Sequence, residues 1–238
     1  MEKENRISFL LTGQYALFSD PVTRVGGEKC TYPIPTFEAL KGVCESLYWK
    51  PTILWDVTRF RVMNRIMTQF KGIRTVDYSG GGQGGLSGYT YLKEVAYQVE
   101  ARFVWNMAHP ELAEDRNENK HFFMAKRALE RGGRRDIFLG VRECQGYVEP
   151  CTFGEGASYY DGHEPVFFGP IFHTFDREEI GEKGVLRARF WPAQMETGGV
   201  VTSPVPNALA SREVRDYTTR RWTLGTDLTP VEQEVDAQ

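Results

Sequence analysis

The chain lacks any apolar run approaching the roughly 18 residues of a membrane span. Its opening, MEKENRISFLLTG, carries acids and too short an apolar stretch for a secretory leader. A cytoplasmic protein with no membrane partner is expected. Cysteine is scarce: Cys30, Cys44, Cys144 and Cys151 show no C-x-x-C spacing. Zinc sites draw their ligands from close pairs, so no metal site is expected and the four read as free thiols. A phosphate loop is missing too. SGGGQGGLSG, residues 79–88, has six glycines but no G-K-[ST] and no helix after it, which leaves a flexible loop or hairpin tip. No cofactor is expected. An overall positive charge is also lacking: 29 Lys and Arg against 32 Asp and Glu give −3, which excludes a uniformly basic nucleic-acid binder.

Charge is nevertheless unevenly placed. Residues 120–142 hold Lys120, Lys126, Arg127, Arg131, Arg134, Arg135 and Arg142 against only Glu130 and Asp136. Such a stretch is either a local nucleic-acid surface or a solvated helix face, and charge alone does not choose. The tail DLTPVEQEVDAQ, residues 227–238, has four acids and no base and reads as a disordered end.

Periodicity organises the rest. RISFLLT (6–12) alternates Ile7, Phe9 and Leu11 toward one face, as a strand does. Thr36 can cap a helix in which Phe37, Leu40, Cys44, Leu47 and Tyr48 recur at helical spacing before Pro51 stops it. TILWDVTRFRVM (52–63) reads as a second strand. In 91–105, Tyr91, Val95, Tyr97, Val99, Ala101, Phe103 and Trp105 share one parity, and Glu94, Gln98, Glu100 and Arg102 the other. Asp115, Asn117 and Glu118 suit the start of a second helix with the stripe Phe122, Ala125, Leu129, ended by Gly132-Gly133. DIFLGV (136–141) reads as a short buried strand.

The order β-α-β-β-α-β predicts an α+β chain with a ferredoxin-like core carrying a β-hairpin and Gly-rich insertion. Past residue 150, short aromatic, Gly- and Pro-bearing runs such as VFFGPIFHTF predict a smaller β-rich region. The expected division is 1–155, 156–226 and the tail 227–238.

In such a core the end of the first helix approaches the start of the second, so Tyr48 and Lys120-His121 can share a site. Consecutive helical residues diverge by ~100°, so at most one of Lys120 and His121 packs inward. Tyrosine, lysine and histidine suit metal-free RNA cleavage by the substrate's own 2′-hydroxyl. Histidine can act as base or acid, lysine offers fixed positive charge, and tyrosine is a poor base unless a neighbouring cation stabilises its phenolate, which Lys120 could do. Each also has a bland reading: a half-buried aromatic at a helix end and a solvated dipeptide. His109, His163 and His173 carry only the bland one.

GQYALFSDPVTRVGGEKCTYPIPTFEALKGVCESLYWKPT, DRNENKH and GGRRDIFLGVRECQGYVEPC resemble the guide-RNA-processing endoribonuclease of CRISPR type I-C systems, a member of the RAMP superfamily. The resemblance runs from about residue 7 to 155 and more loosely toward 200. It implies a ferredoxin-like core of RNA-recognition (RRM-like) type with a small C-terminal antiparallel β-sheet domain, and a metal-independent endoribonuclease that cuts CRISPR repeat hairpins to a 2′,3′-cyclic phosphate and a 5′-hydroxyl. The enzyme would then stay on the 5′ handle as a subunit of the interference complex. It implies Tyr48, from SLYWKP, and Lys120 and His121, from NKH, as catalytic. Lys29, Lys126, Arg134, Arg135 and Arg142 are expected to bind RNA. The expected partners are the repeat RNA and the other subunits of that complex, with DNA left open. The competing reading is a non-catalytic subunit that caps the 5′ handle.

Overall fold

The computed structural model describes residues 5–20, 23, 28–74, 85–180, 183–205 and 209–218. Most of the glycine cluster and the acidic tail lie outside them. β1 (Arg6–Ala16) buries Ile7, Phe9 and Leu11 by simple alternation. β2 is the short Lys29–Cys30. α1 (Phe37–Leu47) starts where the Thr36 side chain accepts the Ala39 N–H at 3.2 Å, and it buries Phe37, Leu40, Val43, Cys44 and Leu47. It stops as Tyr48 turns to an extended conformation, φ −155° and ψ 123°. β3 (Ile53–Val62), β4 (Thr68–Arg74) and β5 (Leu86–Trp105) follow, then a 3-10 turn at Pro110–Asp115 and α2 (Glu118–Glu130). The Asn117 side chain caps α2 by accepting the Lys120 N–H at 3.0 Å.

The frame is antiparallel. β5 lies between β1 and β3, and β1 carries β7 (Gln145–Pro150) on its other side. β6 (Ile137–Phe138) lies beyond β7, and β10 (Val200–Thr202) beyond β3. β4 forms a hairpin with the first half of β5, and β2 adds a short parallel pairing there. Both helices pack on the face made by odd-numbered β5 side chains. α1 reaches it through Phe37 against Phe60, ring centroids 5.5 Å apart, and α2 through His121 against Phe103 at 6.1 Å. The chain is thus α+β, mostly antiparallel sheet with few helices.

Three expectations change. The strand closing the frame is β7, not 136–141, where only Ile137 and Phe138 are paired. Gly140, at φ +89°, turns the chain so that 137–138 become the outer arm of a hairpin with β7. The Gln-Gly-Tyr-Val-Glu-Pro composition of β7 hides it from a propensity reading. Next, Gln98 and Glu100, on the polar parity of β5, are buried. Segment 153–161 covers that face: Gln98 bonds the Glu155 carbonyl and the Gly154 N–H, and Asp161 pairs with the buried Arg61 at 2.7 Å. Glu100 holds Arg6 and Arg59 at 2.8 and 2.9 Å. Finally, the C-terminal runs are long. β8 (Val166–Ile180) and β9 (Lys183–Met195) form an extended hairpin, joined by β11 (Ala210–Thr218) into a separate three-stranded sheet. That sheet seats His173 and Trp191 against Phe37, and β10 then returns to the large sheet. Among the described residues, no helix is long and apolar enough to cross a membrane.

A Cβ on Gly140 would sit 2.1 Å from the Leu17 carbonyl oxygen. Gly140→Ala should therefore cost more than about 2 kcal/mol, from clash and positive φ together. The melting temperature should fall by roughly 5 °C or more. Exposed Gly42, inside α1 with open space around it, should behave oppositely. Gly42→Ala should gain about 0.5–1 kcal/mol. Thermal denaturation of the two variants checks both signs.

Candidate active site

Tyr48 follows the last residue of α1, and His121 lies in the first turn of α2. Their side chains meet, Tyr48 Oη to His121 Nδ1 at 2.9 Å. On the other side of the ring, Nε2 is 2.8 Å from the main-chain carbonyl oxygen of Asp115. A carbonyl can only accept, so Nε2 carries the hydrogen. In the neutral ring Nδ1 is then the acceptor of the Tyr48 hydroxyl. The ring is 0 % exposed and boxed by Tyr48, Phe103 and Trp105, with centroids 6.0, 6.1 and 5.6 Å away. Tyr48 is 1 % exposed. Burial pushes its phenol pKa up, the Asp115 charge adds to this, and Arg134 opposes it.

Asp115 organises the approach to α2. Its carbonyl accepts both the His121 ring N–H and the Asn117 N–H. Its carboxylate accepts from the Thr52 hydroxyl at 2.6 Å and from the Lys120 ammonium. Those bonds, Lys120 first and Thr52 second, hold its carboxyl at about 2. Of the neighbours at 120 and 121, His121 is the one that packs inward, and Lys120 stays on the exposed side. Lys120 is paired with Asp115 rather than with the Tyr48 phenol. The nearby cation acting on that phenol is Arg134. Among the described residues, no three or more His, Cys, Asp or Glu side chains lie together as a metal site would need.

Tyr48 also forms part of the lining of an open cleft with Lys50, Met124, Arg127, Arg131 and Arg134. Gly132 and Gly133, at φ +80° and +107°, turn the chain so that the Arg134 and Arg135 N–H groups both reach the Ser46 carbonyl at 3.2 Å. An unsatisfied carbonyl at the C-terminus of α1 is thereby paired, and two cations are brought to the negative end of the helix. Arg134 and Arg135 thus join the Tyr48 region. Lys126 and Arg142 are exposed but line neither this cleft nor the two others around Arg134 and Arg135. Lys29 lines a separate depression with Thr36 and Gly140, its ammonium 4.6 Å from the Tyr89 ring centroid.

Sequence reasoning missed Asp115 as an organiser, along with Thr52, Lys50, Arg127 and Arg131. The spacing of Arg127 and Arg131, four apart on one helix face, was a usable signal for the cleft. Nothing in the order of residues foretells that Thr52 meets Asp115 across 63 positions.

Comparison with known proteins gives consistent neighbours. The family profile described as CRISPR-associated protein (Cas5), of Cas5d type, matches residues 7–201. A protein of Thermus thermophilus named CRISPR pre-crRNA endoribonuclease Cas5d is 31 % identical over 156 residues, covering 61 % of this chain. The match spans 64 % of that relative, just under two thirds of its length. A protein of the same name from Mannheimia succiniciproducens is 29 % identical over 163 residues, covering 58 % of this chain and 69 % of the relative. A crystal structure described as a CRISPR-associated protein superposes with a TM-score of 0.74 at 30 % identity, over 88 % of this chain and 97 % of that one.

The Asp115 network has a pH signature. A carboxyl whose folded pKa is about 2, against ~3.9 when unfolded, contributes stability at pH values above the unfolded one. That contribution is lost as pH falls from about 4 through 2. Asp115→Asn should melt below the wild type at pH 6, and the gap should close toward pH 2. A gap that stays constant across this range would show that the carboxylate is not held as described.

Proposed function

The chain belongs to the Cas5 family of CRISPR-associated proteins, and on that premise we propose that it processes CRISPR precursor RNA as a metal-independent endoribonuclease. The observation that carries this reading is the Tyr48–His121–Asp115 hydrogen-bond chain beside a cationic cleft. The names of the Thermus and Mannheimia relatives support the substrate. The product then stays bound, with the protein serving as a subunit of a type I-C interference complex.

The finer fold follows the same reading. We take β1, α1, β3, β5, α2 and β7 as a ferredoxin-like core, supported by the antiparallel order β3-β5-β1-β7. The small β-rich unit expected over 156–226 rests on the three-stranded sheet of β8, β9 and β11, with β10 as its tie to the core; residues 219–226 lie outside the described residues.

The chemistry runs through the phenol. With its hydrogen committed to a neutral His121, the Tyr48 oxygen has only lone pairs to offer toward the cleft. It takes the proton of the RNA 2′-hydroxyl as its own passes to Nδ1, so phenolate never accumulates, in keeping with its raised pKa. The 2′-oxygen bonds to phosphorus, the P–O5′ bond breaks, and the leaving 5′-oxygen takes a proton from water in the open cleft; the proton held on Nδ1 then returns through the Tyr48 hydroxyl to the hydroxide so formed. The products are a 2′,3′-cyclic phosphate and a 5′-hydroxyl. Arg134, Lys50, Arg127 and Arg131 face the phosphorane charge. Lys120 holds Asp115, and through it the imidazole. Met124, its sulfur 3.5 Å from the hydroxyl, is an unbranched cover that can swing aside when RNA enters.

The burial of Tyr48 and His121 specifically favours the other reading, a non-catalytic subunit that caps the guide RNA. Single-turnover assays with the cognate repeat RNA in EDTA decide between them. Cleavage is expected, with a 2′-deoxy residue before the cut blocking it but not binding. His121→Ala and Tyr48→Phe should each slow cleavage ~10²–10⁴-fold with little loss of affinity. The double variant should be little worse than the poorer single one. Full-rate cleavage by both singles would remove the pair from the mechanism. Absence of wild-type cleavage with intact binding would leave the capping subunit.

Binding has its own check. Arg134→Ala with Arg135→Ala should weaken RNA affinity and lower the slope of log affinity against log salt by roughly 1–2, as fewer counterions are released. An unchanged slope would return both arginines to a solubility role.

A further inference from the structure

Trp49 is 47 % exposed beside a tyrosine that is 1 % exposed. The extended backbone at Tyr48 sends consecutive side chains opposite ways, Tyr48 inward to His121 and Trp49 outward. The indole makes no hydrogen bond or ring contact with any described residue. It lines a cleft with Glu45, Ser46, Lys50, Arg134 and Arg135, and Lys50 and Arg134 also line the cleft at Tyr48. The arginine pair also lines a third cleft, together with Tyr147 of β7, 61 % exposed. Neither arginine forms an ion pair with a described residue. The backbone amides of Arg134 and Arg135 already serve the end of α1, whereas the two outward aromatics that share clefts with their guanidinium groups add nothing to the core. Together these groups match what a single nucleic-acid strand requires: cations for its phosphates and flat faces for its bases.

We propose that Trp49 is a stacking platform for an unpaired nucleobase next to the scissile phosphate, with Tyr147 taking a second base beyond Arg134 and Arg135. This rests on the RNA-processing reading and adds a positional demand to it. The strand passes from the Tyr48 cleft across Lys50 and Arg134 onto the indole, so the base on Trp49 adjoins the reacting phosphate. Stacking is indifferent to base identity. Trp49 therefore sets the register of the cut and the requirement for an unpaired nucleotide, and reads no sequence.

The test uses the full chain and repeat RNA in which 2-aminopurine, or an abasic residue, replaces each unpaired nucleotide within three of the cut. At one position the wild type should quench 2-aminopurine, Trp49→Phe should retain the quench, and Trp49→Ala should lose it. An abasic residue there and Trp49→Ala should each weaken binding about 5- to 100-fold, and together no more than either alone. Tyr147→Ala should couple in the same way to a different position. Additive losses at every position, or a quench unchanged in Trp49→Ala, would overturn the platform while leaving RNA processing intact. If the wild type neither binds nor cuts repeat RNA, the processing reading falls and the platform with it. Trp49→Ala is a surface change, and an unchanged melting temperature would show that its losses do not come from misfolding.

Discussion

A buried imidazole must find partners for both of its nitrogens, and the way His121 does so governs the arrangement around it. Leaving one nitrogen unpaired in an aromatic box would cost about 1–3 kcal/mol. The Asp115 carbonyl and the Tyr48 hydroxyl meet that demand, and in doing so they tie the end of α1 and the start of α2 to one point. The carbonyl also chooses the tautomer: an acceptor at Nε2 makes Nδ1 the acceptor of the phenol proton. Thr52 and Lys120 then steady Asp115 by its carboxylate. A polar chain of this kind in a low-dielectric site is strong when complete and costly when broken, because each member's partner is left buried without one.

Outside that chain, the helix end sets the charge pattern. α1 presents its carbonyls where Gly132 and Gly133 deliver the Arg134 and Arg135 amides, so a backbone need brings two guanidinium groups beside the Tyr48 cleft. An overall charge of −3 is no obstacle, since phosphate recognition needs positive potential only over the few ångströms that a strand crosses.

Much of the frame was legible in the order of residues. The β1 alternation, the capped apolar stripe of α1 and the parity of β5 all report local geometry, for which spacing is a direct record. The closing strand was misjudged because DIFLGV is the more apolar of two short candidates, whereas pairing with β1 was decided by the turn at Gly140. Glu100 and Gln98 read as solvent-facing because a parity pattern says which side a residue faces, and not what later covers that side. Segment 153–161 does so here, from more than 50 positions away.

The candidate site divides along the same line. That Tyr48, Lys120 and His121 could share a reaction followed from residue chemistry and from helices joined in a familiar order, and only one of the two adjacent residues 120 and 121 could face inward. Which one does, and with which partners, depended on the packed chain. Lys120 turned to Asp115 instead of the phenol, Arg134 took the place of the cation acting on Tyr48, and Trp49 was left outward in a cleft that shares Lys50 and Arg134 with that of Tyr48. Spacing along a chain encodes faces and periods, because those repeat locally. Hydrogen-bond partners and shared clefts are long-range coincidences in space, and they come into being only once the sheet and both helices have closed around them.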